Sequence, residues 1–126
     1  MPLGRALYSA IFIFAAFGHF SRATIEFAAA RVPLAEIAVP LSGVMALLGG
    51  LSVLLGYRAR LGALLLVAFL IPVTLAMHPF WTLSDPMAAM IDRVMFLKNV
   101  GLLGGALLIA HFGAGPISLD ARRARG

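Results

Sequence analysis

The chain has 126 residues, of which 62% are hydrophobic and only 12% charged, whereas soluble domains carry roughly 25% charged residues; this balance excludes an ordinary soluble domain. Ten Lys+Arg against five Asp+Glu give a net charge of +5. The basic residues sit in short connections between apolar runs, so they argue for positive-inside membrane topology and against nucleic acid as a partner. With no cysteine, disulfides, thiol redox chemistry, iron–sulfur ligation and thiolate metal sites are also excluded.

A bilayer core of ~30 Å takes about 17–25 helical residues, and four segments fit: 5–30, 37–56, 61–77 and 94–112. In the first, Ala15-Ala16-Phe17-Gly18 has the small-residue look of a cleavage region,. Against cleavage, His19, Arg22 and Glu26 recur at offsets of three and four. That spacing predicts one retained helix with these three on a single face. The second segment has Pro40 near its start, where a missing donor does little harm, and small residues at Ser42, Ala46 and Gly50 for close packing,. Tyr57-Arg58-Ala59-Arg60 is too short for anything but a tight hairpin to the third segment. Pro72 inside that third segment should kink it or free a carbonyl for a neighbour,.

Phe80-Trp81 falls where amphipathic rings settle at a membrane interface,. Ser84-Asp85-Pro86 predicts a helix start, with Asp85 or Ser84 as cap and proline at the first helical position,. The fourth helix should begin as an amphipathic turn and enter lipid near Val94. Its Gly101 and Gly105 are four apart, which predicts a close helix contact through that face,. The fold expected is an all-α membrane protein. It is a four-transmembrane-helix antiparallel bundle, one domain over 1–126, set in the lipid bilayer of a bacterial-type plasma membrane. With four spans, Arg5, Arg58, Arg60, Arg122, Arg123 and Arg125 share one side with Asp120 alone. Arg22, Arg31, Arg93 and, if it reaches the interface, Lys98 lie opposite with Glu26, Glu36, Asp85 and Asp92. Both termini are then cytoplasmic.

Lys98-Asn99 is the anomaly within the fourth run, since a charge in a span is costly and normally turned inward and paired,. Lys98 lies on the side of Gly101 and Gly105; the competing reading is that it snorkels to the outer interface. The outer half of the bundle can gather His19, Arg22, Glu26, His78, Asp92, Arg93, Lys98 and Asn99, whereas the inner half holds Tyr8, Ser9, Ser52 and His111. The asymmetry predicts a ligand pocket open to the outer leaflet, with His19, Arg22, Glu26, His78, Asp92, Lys98 and Asn99 as candidate lining. No catalytic residue and no metal set stands out. His19 and His78 are read as proton carriers, hydrogen-bond donors or satisfied interfacial histidines; their spacing gives no support to a haem site.

Several pieces together resemble the DoxX family of small four-helix membrane proteins. They are Gly18-His19-Phe20, Gly49-Gly50-Leu51, Leu55-Gly56-Tyr57-Arg58-Ala59-Arg60, His78-Pro79-Phe80-Trp81, Phe96-Leu97-Lys98-Asn99, and the ending from Gly113 to Asp120. The resemblance implies a place in membrane redox metabolism. Three readings follow. In the first, the outer pocket binds a quinone or small aromatic, with Lys98 and Asn99 bonding carbonyl oxygens and His19 or His78 moving protons. In the second, the chain is a non-catalytic assembly subunit for a membrane or soluble oxidoreductase, a homo-oligomer being a further arrangement. In the third it carries a small solute or protons.

Overall fold

In a computed structural model, which describes residues 2–30 and 32–126, the chain forms six helices and, among the described residues, no strand. They are α1 (Pro2–Gly18), α2 (Arg22–Ala29), α3 (Ala35–Leu55), α4 (Ala59–Met77), α5 (Pro86–Phe112) and α6 (Leu119–Arg125), with one 3-10 turn at Phe80–Thr82. Three stretches are long and apolar enough to cross a membrane: Ala35–Leu55, Ala59–Thr82 and Pro86–Phe112. A fourth is added if α1 and α2 count as one broken span. Arg31, counted above among the charges of one side, lies outside the described residues.

The expected continuous helix over 5–30 is corrected. It breaks after Gly18, and α2 turns away by 87°. The amides of His19, Phe20 and Ser21 bond back three residues, to Ala16, Phe17 and Gly18 at 3.1, 3.4 and 3.1 Å. This tightened last turn is a common way for a helix to end. Ser21 is extended (φ −76, ψ 135) and starts the new helix. Glycine is a poor helix interior, and three polar or bulky residues follow it, so the periodicity of His19, Arg22 and Glu26 carried the helix across a real boundary.

The α3–α4 hairpin is as tight as expected. Gly56 takes φ +68, its amide bonding Val53 at 3.2 Å, and the Tyr57 amide reaches Ser52 at 3.0 Å. This left-handed closure suits glycine. α3 begins at Ala35, so Pro40 is in its interior rather than its first turn; the Glu36 carbonyl loses its helical donor. Asp85 caps α5 as the sequence indicated, accepting from the Ala88 amide at 3.0 Å.

Small residues set the packing, as they must where lipid gives no hydrophobic drive between helices. α3 and α4 cross at Gly49 and Gly62: a Cβ on Gly49 would lie 2.7 Å from Leu66 Cδ2, and one on Gly62 would lie 2.5 Å from Ser52 Cβ. α1 rests on α3 at Gly50, whose Cβ would come 3.3 Å from that of Phe12. The core is Phe12, Ala16, Ala46, Val53, Ala63, Leu66, Phe69, Leu70 and Ala106. Large apolar residues such as Phe14 (75% exposed) and Leu7 (70%) face outward.

The Gly101–Gly105 contact face is half corrected. A Cβ on Gly105 would meet the Tyr8 ring at 2.7 Å, and the Tyr8 hydroxyl donates to the Leu102 carbonyl, which ties α5 to α1. A Cβ on Gly101 would meet nothing within 4 Å. Four residues span 400°, so the two glycines are offset by about 40° and only one reaches α1.

Candidate functional site

At the end of the bundle where α1 stops, His19 is carried off the helix axis and packs on α3. Gly43 makes room for it, because a Cβ there would lie 2.6 Å from His19 Cβ. His19 Nδ1 is 2.8 Å from Ser42 Oγ and 3.3 Å from the Val39 carbonyl. The Ser42 hydroxyl spends its one proton on the Val39 carbonyl at 2.7 Å. It can therefore only accept from His19. In the neutral imidazole Nδ1 carries the hydrogen and the lone pair is on Nε2. The histidine thus orients the serine without taking its proton, which is the wrong direction for nucleophilic activation. The sequence marks Ser42 as a packing residue only, and nothing near it in the chain points to a histidine 23 residues earlier.

His78 closes α4, with Nδ1 3.4 Å from Asp92 Oδ1 on α5. This is the one ion pair among the described residues, at side-chain exposures of 23% and 18%. Asn99 is 7% exposed, and no hydrogen bond joins its amide to another described residue. Lys98 is exposed, with Nζ 3.5 Å from Met95 Sδ one turn back. Beside it, Phe80, Trp81 and Phe96 stack edge to face at 5.3–5.8 Å, and the Arg93 guanidinium lies 5.4 Å from the centre of the Phe80 ring. Arg22 and Glu26 are exposed on α2. The 87° break takes them off the axis they were expected to share with His19.

Two cavities share lining residues here. The larger, about 310 Å³, is bounded by α2, α3 and α4; Ala28, Ala68, Pro72 and Ala76 give it room. Pro72 also leaves the Ala68 carbonyl without its helical donor. The smaller, about 160 Å³, reaches Lys98 and Asn99. His19, Phe69, Val73 and His78 line both. Together they make a candidate site with a larger apolar part and a smaller, more polar part. Of the seven residues expected to line a pocket, the structure brings His19, His78, Lys98 and Asn99 to it directly. Asp92 reaches it through His78, and Arg22 and Glu26 stand apart.

The family model of the SURF4 family matches residues 23–125, most of the chain. The chain belongs to the SURF4 family. A relative named Surfeit locus protein 4 homolog, from Drosophila melanogaster, is 33% identical over 67 residues, 52% of this chain. The match spans 24% of that relative's length. No solved structure matches. SURF4 membership overturns the DoxX resemblance, and with it the quinone-linked redox role, the oxidoreductase assembly subunit and the solute or proton carrier. The pieces that carried the resemblance are short glycine-rich and interfacial motifs. Tight hairpins, close helix crossings and membrane-surface aromatics require such motifs in any small helical membrane protein. What stands of the sequence reading is an all-helical, multi-pass membrane protein of the SURF4 family.

Proposed function

We propose that this SURF4-family chain is a membrane binding protein for an amphiphile with one alkyl-type tail and a hydrogen-bonding head. The observation that carries the reading is the pair of adjoining cavities, one apolar arm and one polar arm, with His19, Phe69, Val73 and His78 lining both. The tail fills the arm beside Ala28, Pro72 and Ala76. The head meets Asn99, whose amide bonds no other described residue and keeps accessible surface beside the smaller cavity, as well as Lys98 and the His78–Asp92 pair. A head group that bonds this amide gains a hydrogen bond that no protein group competes for. Residues 1–126 act as one membrane domain of four antiparallel spans, α1 forming the first, and both ends on the cytoplasmic side. α2, bent across α1, lies along the opposite face and roofs the apolar arm through Thr24 and Ala28,.

The test is native mass spectrometry of the full chain in mild detergent, with lipid extraction of what stays bound. Asn99→Leu and Ala76→Phe attack the two arms separately. Each should lower retention of the bound amphiphile by about tenfold, the worth of one hydrogen bond to a polar head or of a blocked alkyl site. Asn99→Leu should hold or raise the melting temperature, because it removes an unpaired polar group at nearly constant volume. Unchanged retention in both variants would sink the reading. A lowered melting temperature in Asn99→Leu would make Asn99 a structural link instead.

A further inference from the structure

At the opposite end of the helices the chain builds a second site. After α5, residues 113–118 fold back under the α3–α4 hairpin. The Asp120 amide donates to the Gly56 carbonyl at 2.8 Å, and the Asp120 carboxylate accepts from the amides of Arg58 and Ala59 at 2.6 and 2.9 Å. The one acidic side chain at this end is thus spent on the first turn of α4. Three guanidinium groups remain around it without a carboxylate in ion-pair reach. They border a cleft of about 510 Å³ together with Leu61, Phe112 and Gly113.

The three arginine side chains are exposed and converge on the cleft. The Arg123 and Arg58 guanidinium carbons lie 5.3 and 5.9 Å from the centre of the Tyr57 ring. Arg60 passes close over Gly113, where a Cβ would lie 3.1 Å from its Nε; that glycine is also at φ +80. Leu61 and Phe112, 58% and 69% exposed, form an apolar flank. Planar guanidinium groups match phosphate oxygens two at a time.

We propose that this cleft binds a phosphate group of the kind an anionic phospholipid presents, Arg58, Arg60 and Arg123 holding the phosphate while the acyl chains lie along Phe112 and Leu61. The site is separate from the two cavities at the other end and does not depend on their role. The full chain is reconstituted in nanodiscs of phosphatidylcholine with phosphatidic acid, released into detergent, and the retained phosphatidic acid is counted by native mass spectrometry. Replacing both Arg60 and Arg123 by Gln should lower retention on the order of tenfold or more, while Arg22→Gln with Arg93→Gln at the far end leaves it unchanged. Replacing Arg60 and Arg123 by Lys keeps the charge but loses the planar fork, and should also lower retention. Full displacement of the lipid by inorganic phosphate would identify free phosphate as the occupant of the same site. Retention by the Lys pair equal to that of the native chain would reduce the effect to general surface charge and overturn the site, as would equal retention by the Gln pair.

Discussion

Gly49→Val should be the most damaging single substitution in the bundle, lowering stability by about 3 kcal/mol and the melting temperature in detergent accordingly. The first new carbon alone would lie 2.7 and 2.8 Å from Leu66 and 3.0 Å from the Gly62 carbonyl oxygen. Leu66 is fully buried and has nowhere to go; the Gly62 carbonyl belongs to helix backbone. The two helices must therefore separate, and the contact they lose is the centre of the core. Gly101→Ala is the matched control. Its Cβ meets nothing within 4 Å, and alanine is the better helix former by about 1 kcal/mol, so that variant should melt at or above the native temperature. A Gly49→Val protein that melts with the native chain would mean that α3 and α4 do not approach this closely in the membrane.

This contrast marks how far the sequence could be read. The apolar runs, the Tyr57–Arg60 hairpin and the Asp85 cap were legible because each depends on residues adjacent in the chain. What failed needed rotation about a helix axis or a partner far along the chain. Lys98 was assigned to the side of Gly101 and Gly105, yet only Gly105 meets Tyr8, and Lys98 is exposed. Arg22 and Glu26 followed an unbroken period that Gly18 interrupts. Ser42 gave no sign of its histidine, 23 residues away. The family itself was missed because the quoted motifs report on membrane packing, which unrelated helical bundles share, whereas the SURF4 match is spread over residues 23–125.

The arginine end holds the second large effect, and there the sequence misled by being too simple. Arg5 reads as a topology signal, but it is only 6% exposed. Its guanidinium donates to the Ile117 carbonyl at 2.5 Å and to the Val53 carbonyl at 3.5 Å, while its Nε has no partner among the described residues. It pins the returning C-terminal segment to the end of α3, and Asp120 pins the same segment to the start of α4. Arg5→Ala should cost about 3 kcal/mol, since it empties a buried volume and leaves two carbonyls without their charged donor. Asp120→Ala should cost about 1–2 kcal/mol through the lost helix cap. Because either change releases one shared segment, the double variant should lose less than the sum of the two, by on the order of 1 kcal/mol. Hydrogen exchange gives an independent reading: the Arg58, Ala59 and Asp120 amides should lose protection in both single variants, although Arg5 touches none of them directly. Additive losses with protection unchanged in Arg5→Ala would mean that the two anchors act separately. The segment would then be held by Asp120 alone, and Arg5 would stabilise only the foot of α1.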